Sequence, residues 1–228
     1  MQSRLEEMGS FFDVRIDGYD EHMRAMFEDF ELYYETIARP IAETTKPIDV
    51  LDLGCGTGAE LNTLFKQAPQ ACVTAVDLSA QMLNRLLQKF EAYKGQITPV
   101  QGSYLSLPFA KHHYDYAVSV YTMHHFTPDT KRALYQKICN ALKPGGKYIE
   151  GDCVVTPEKE QEVWQWYRDR YTAEHLQAAC APENTLYHID IPCTVETQLQ
   201  LMREAGFANV ELIWYREKEE SAIFVAEV

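Results

Sequence analysis

Two adjacent histidines, His124 and His125, close the apolar run in "SVYTMHHFTPD". Two imidazoles side by side can hold a metal ion, move a proton, or simply pack. The sequence disfavours a metal: adjacent histidines serve one ion poorly, and no third ligand stands at a ligating spacing. General-base chemistry by one of the pair is the sharper expectation. Neighbours in an extended segment point apart, so both acting together is not expected. Tyr19 is a second candidate, because Gly18 before it in "FFDVRIDGYDEHM" marks a bend rather than a regular helix. His188 sits in a loop and reads as solvent-facing.

A second motif decides what such groups would act upon. "VLDLGCGTGAE" places glycines where a strand ends and a helix begins. Backbone N–H groups can approach a ligand closely there, aided by the positive end of the helix dipole. Asp77 ends the next strand, 23 residues beyond Gly54, where a carboxylate can accept both ribose hydroxyls. Glycine turn plus downstream acid predicts an adenosine-type cofactor. Gly54-x-Gly56-x-x-Ala59 formally satisfies the dinucleotide pattern. Asp52 before the loop and Glu60 opening the helix would both oppose a pyrophosphate, and no second mononucleotide half follows.

The elements that must position these residues alternate. "PIDVLDLG", "CVTAVDLS", "QITPVQG", "YDYAVSVY" and "KYIEGD" read as strands, the last entered through a "PGG" turn. Between them lie helical stretches, of which "SAQMLNRLLQKFEAY" is the clearest, with Ser79 as its N-cap. Pro99 removes a ladder donor and sends the third strand to an edge. Such alternation predicts an α/β fold with a mostly parallel sheet and helices on both faces. Before it, apolar spacing from Tyr19 predicts one or two helices ending near Pro40. After it, "TPEKEQEVWQWYRDRYTAEHLQAAC" reads as one Trp-rich helix capped by Thr156, lying over the carboxyl ends of the strands. Thr194 caps a further helix stopped at Gly206, and two antiparallel strands close the chain.

These stretches resemble, in order, the motifs of class I S-adenosylmethionine-dependent methyltransferases. "VLDLGCGTG" resembles their first motif and "VDLSAQML" their acidic second strand. "QGSYLSLPF" resembles the segment lining the adenine, and "ALKPGGKYIEGD" and "LMREAGFANVEL" their later elements. The resemblance spans about residues 47–228. It implies a Rossmann-like sheet of seven strands with an antiparallel last strand. It implies S-adenosylmethionine as cofactor, S-adenosylhomocysteine as product, and a small-molecule acceptor. Gly54, Cys55 and Gly56 would back the methionine part, with Asp52 steadying the loop or touching the amino group. Asp77 would take the ribose, and Leu78 and Met82 would sandwich the adenine. Gly102, Ser103 and Tyr104 would cover its edge, and Val120 would offer a carbonyl. Ser103 stands where the family often has an Asp. His124 aligns with the general-base histidine of plant-type O-methyltransferases, and Tyr19 would face the methionine end. Trp164, Trp166 and Tyr167 could wall the acceptor pocket, although lid packing accounts for them better. Two alternatives remain: an enzyme like the carboxy-S-adenosylmethionine synthases, whose C-terminal stretch is also similar, and a non-catalytic adenosylmethionine-binding protein.

The bulk composition sets outer limits. At 228 residues, 46% apolar and 24% charged, the chain is expected to form a single domain. Its expected parts are a helical cap (1–46), a cofactor-binding half (47–153), an inserted lid (154–193) and a C-terminal helix with a strand pair (194–228). A net charge of −13, from 34 acids against 21 bases, disfavours nucleic acid. Without an apolar run long enough for a membrane or a signal-peptide core, the expectation is a cytoplasmic protein, monomeric or homodimeric. Six cysteines without a CxxC pair read as small buried apolar residues.

Overall fold

The computed structural model describes residues 5–181 and 185–228; the first four residues of the expected cap and 182–184 of the expected lid lie outside them. Three short helices open the chain: α1 (Met8–Asp13), α2 (Tyr19–Ala25) and α3 (Phe30–Ala38). The sequence expected one or two. Gly18 at φ 81° starts α2 in a left-handed conformation, and Asp29 caps α3 through the Leu32 amide, which is why the segment breaks into pieces.

The alternating region follows: β1 (Asp49–Leu53), α4 (Leu61–Gln67), β2 (Cys72–Asp77), α5 (Ala80–Lys89), β3 (Ile97–Gln101), β4 (Tyr114–Val120), α6 (Pro128–Ala141) and β5 (Leu142–Cys153). Then come α7 (Pro157–Arg168), α8 (Ala173–Ala179), α9 (Val195–Glu204), β6 (Asn209–Arg216) and β7 (Ser221–Glu227). Seven strands form one sheet in the order β3-β2-β1-β4-β5-β7-β6. The first five are parallel, and β7 runs antiparallel between β5 and β6. Strand β3, carrying Pro99, takes the edge and pairs only with β2. The expected "PGG" turn is instead a bulge inside β5, where pairing with β4 slips between Tyr114 and Tyr116.

One apolar cluster joins the sheet to α6 and α9, through Leu134, Tyr135, Ile138, Leu201 and Met202. The opposite cluster joins it to α3, α4 and α5, through Tyr33, Ile37, Leu64, Phe65 and Leu86. With helices on both faces, the exposed crevice lies at the carboxyl ends of β1 and β4, where strand order reverses. The stretch read as one Trp-rich helix is two, α7 and α8, broken at 169–172 where Thr172 caps the second. Cys180 at the end of α8 donates to the His125 carbonyl at 3.6 Å, so this segment covers the carboxyl end of β4. No helix among the described residues is long and apolar enough to cross a membrane.

Candidate active site

The glycine loop leaves β1 and folds back on β2. The Gly54 and Cys55 amides both donate to the Val76 carbonyl, at 2.8 and 3.1 Å. Gly54 sits at φ 67°, and a Cβ there would lie 2.1 Å from Thr122 Oγ1, so no other residue fits. At the end of β2, Asp77 accepts from the Gly56 amide at 2.9 Å and from the Ser79 amide at 2.8 Å. Each carboxylate oxygen keeps a second lone pair. Burial raises the Asp77 pKa, and the Ser79 and Gly56 amides offset part of that rise. Ser79 caps α5 through Met82 at 3.0 Å and also donates to Asp13 of α1.

Beyond Asp77 opens a narrow cavity lined by Leu78, Met82, Tyr104, Val120, Gly54 and Gly56, with Met8 and Phe12 of α1 across it. Leu78, Met82 and Tyr104, the residues expected at the adenine, therefore line one cavity. Ser103 is turned to its own loop, where its hydroxyl accepts from the Leu105 amide at 3.2 Å; Gly102 donates to the Asp77 carbonyl.

A second cavity of about 200 Å³ lies on the other side of the loop, lined by Cys55, Gly56, Thr57, Glu60, Tyr34, Lys89 and Val120. Tyr19 lines both and reaches toward Gly56; burial, then the charges of Asp77 and Glu60, push its pKa up. Asp52 departs from expectation. It is buried behind the loop on β1 and lines neither cavity; Glu60 takes the facing position. In the sequence alone Glu60 stands out only as an obstacle to pyrophosphate.

The histidines depart further. Met123–His125 form a 3-10 turn, not an extended segment, so the two rings converge at 4.0 Å between centroids. His124 Nδ1 donates to Asp152 Oδ1 at 2.5 Å, and the His124 amide to Asp152 Oδ2 at 2.9 Å. This leaves Nε2 free to face Asp190, whose Oδ1 lies 3.6 Å away; His124, His125, His188 and Asp190 all line a third cavity, of about 590 Å³. Burial lowers the His124 pKa, but the Asp152 carboxylate outweighs it and the net value lies above the ordinary one. His125 Nδ1 donates to the Ile189 carbonyl at 2.9 Å, with Asp190 Oδ1 at 3.1 Å; burial and the neighbouring His124 hold it below its ordinary pKa.

His188 is not solvent-facing. It stacks on Phe11, centroids 3.7 Å apart, and burial drives its pKa down to about 4. Burial would raise Asp190, but the hydrogen bond from His125 and the surrounding imidazoles pull it to about 2. The third donor that the sequence lacked thus exists: Asp190 lies within 4.8 Å of ligating atoms on His124 and His125. It was invisible because it stands 65 residues beyond His125. Tyr167 accepts from the Asp190 amide at 2.8 Å and so holds this loop. Trp164 packs into the core and Trp166 is exposed under Arg170; neither lines the acceptor-side cavity. Tyr121, between the loop and the histidines, takes a left-handed φ of 52°, the kind of strain that collects at functional sites. Phe12, Tyr19, Tyr121 and His125 are shared walls of the narrow and the large cavities.

A mostly parallel sheet with this strand order, a glycine loop after β1 and an acid at the end of β2 make up the class I S-adenosylmethionine-dependent methyltransferase fold. Residues 50–146 match the model of the methyltransferase domain family. Similarity to single relatives agrees. An uncharacterised methyltransferase of Geobacillus kaustophilus is 28% identical over 148 residues, covering 65% of this chain and 64% of that protein. The carboxy-S-adenosyl-L-methionine synthase of Wolinella succinogenes is 26% identical over 213 residues, covering 89% and 88%. Among solved structures, human N-acetylserotonin methyltransferase with S-adenosylmethionine has a TM-score of 0.61 at 16% identity, over 91% of this chain and 55% of that one. At that identity the likeness is one of fold. The chain spans about two-thirds of the Geobacillus relative and just over half of the human enzyme.

The residues present fit the cofactor of this family, S-adenosylmethionine. Asp77 keeps free lone pairs, the glycines leave a cradle that a Cβ would enter, and Glu60 Oε1 is buried with no donor among the described residues.

Proposed function

We propose that the chain transfers a methyl group from S-adenosylmethionine to a small acceptor lodged in the 590 Å³ cavity. Bound in the narrow cavity, the cofactor supplies an already activated methyl on its sulfonium. Asp77 would hold the ribose, and Leu78, Met82 and Tyr104 the adenine. Tyr19 and Tyr121 stand where the two cavities meet, and would orient the reacting groups and exclude water.

The observation that carries the reading is the His124–Asp152 pair. Asp152 fixes the tautomer, so that the lone pair lies on Nε2, on the acceptor side. His124 then receives the proton that a hydroxyl acceptor must lose. His125, its Nδ1 proton engaged by Ile189, shapes the pocket. The walls, Phe11, Phe12, Val14, Met23 and Met26, favour an apolar or aromatic acceptor body. The experiment is a screen of hydroxylated metabolites for S-adenosylhomocysteine formation. His124→Ala should lose the activity while cofactor affinity persists; full activity in that variant would refute the assignment.

One observation favours a second reading. The carboxy-S-adenosylmethionine synthase of Wolinella aligns along nearly the whole chain. Mass spectrometry of cofactor extracted from the purified protein separates the two, since a carboxylated cofactor is heavier. The unpaired cysteines fit a reducing, cytoplasmic setting, and the net charge of −13 argues against nucleic acid as acceptor.

A further inference from the structure

Asp52 and Glu60 form a buried acid pair beside the glycine loop that none of the roles above uses. Asp52 lies on the central strand β1, 1% exposed; Glu60 opens α4, 7% exposed. Asp52 Oδ2 and Glu60 Oε1 are both buried and receive no N–H or hydroxyl donor among the described residues. Both carboxyl groups line one small cavity between β1 and α4; burial raises both pKa values, and for Asp52 the charge of Glu60 adds to it. Two ionised carboxylates in contact away from water would repel strongly, so one proton must remain between them.

The groups facing the pair do not replace that proton. Asp77 on β2 and Asp20 on α2 are further acids. Tyr19, Tyr34 and Cys55 are buried and held protonated, their pKa values raised first by burial. Lys89 on α5 is the nearest cation, but its Nζ donates to Asp20 and Thr57, both at 3.1 Å. Arg24 pairs with Glu31. The 200 Å³ cavity thus presents an acid that the neighbouring cations, already paired, do not neutralise. That complements the α-ammonium group at the methionine end of the cofactor.

We propose that Asp52 and Glu60 share one proton in the free protein and release it when the cofactor's α-ammonium group binds against Glu60. The inference rests on the cofactor assignment. The ammonium supplies the positive charge that the proton had supplied, so binding exchanges one for the other. Affinity then strengthens as pH rises, since a bound proton competes with the ligand.

Titration calorimetry of the full chain with S-adenosylhomocysteine, near neutral pH in two buffers of different ionisation enthalpy, reads the exchange directly. Release of between about half and one proton per ligand is expected. S-adenosylmethionine should release the same amount, because both carry the ammonium; release confined to the sulfonium compound would overturn the assignment. Asp52→Asn should bind with no release. Should that variant fail to fold, infrared difference spectra of the unaltered protein serve instead: a protonated-carboxyl band should be lost on binding. Tight binding without proton release, or with no loss of that band, overturns the proposal and leaves the cofactor assignment standing. Absence of binding by either compound overturns both.

Discussion

The Asp152 carboxylate makes His124 a different group from His125, although the two are adjacent in sequence. His124 is held by the two hydrogen bonds it donates to one acid and titrates high; His125 is held by a carbonyl and titrates low. The base must be neutral to act, so the rate should rise with pH through a midpoint above the ordinary histidine value. Asp152→Asn should move that midpoint down, and His124→Ala should lower kcat by about 10²–10⁴-fold, against a few-fold for His125→Ala. A stability effect accompanies this. Because the folded His124 pKa is raised, the pair's contribution is complete below pH 6.5 or so and is lost as pH rises through the folded value. His188 works in the opposite sense. It is neutral and buried with a pKa of about 4, so the unfolded chain takes up a proton first as pH falls below the ordinary value. His188→Phe should keep the stacking on Phe11 and recover about 1–3 kcal/mol of stability at pH 4–5 relative to the unaltered protein. Urea unfolding of both proteins at pH 4.5 and pH 8 measures it; equal pH dependence would refute it.

At the scale of elements, the glycine loop and the N-terminal helices together make the cavity proposed for the cofactor. Gly54→Ala sets a Cβ against Thr122 Oγ1 in a left-handed backbone, so cofactor binding should be lost before the fold is. Ser79→Ala removes the cap on Met82 and the tie to Asp13, and should cost about 1 kcal/mol by denaturant unfolding. Met8 and Phe12 cross the cavity from α1, so removal of residues 1–17 should speed cofactor dissociation more than it slows association, as stopped-flow binding would show. The elements most legible in the sequence are those whose cause is local. The Ser79 cap, Pro99 at the edge and the strand–loop–helix around Gly54 follow from neighbouring residues. The Trp-rich stretch reads as a single helix because its apolar spacing runs on past Asp169, whereas α7 stops there and Thr172 caps a new helix.

Across the whole molecule, what escaped the sequence is convergence. Asp152 comes from β5 and Asp190 from the loop before α9, 28 and 65 or 66 residues from the histidines they meet. Period and propensity carry no information about such contacts. The same holds for the buried set of Glu150, Tyr135, Tyr148, Gln198 and Lys131 beneath the sheet. There the Tyr135 and Tyr148 hydroxyls donate to Glu150 at 2.8 and 2.7 Å, and burial helps push the Glu150 pKa to about 7. By contrast, the cofactor class was legible because glycine loop and acid lie 23 residues apart on consecutive strands of one βαβ unit. That class is the central claim, and equilibrium binding of S-adenosylmethionine to the unaltered protein and to Asp77→Ala tests it most directly. Saturable one-to-one binding to the first, weakened at least about tenfold in the second, is predicted from loss of the acid proposed to hold the ribose. Tight NADH binding with none of S-adenosylmethionine would contradict the account.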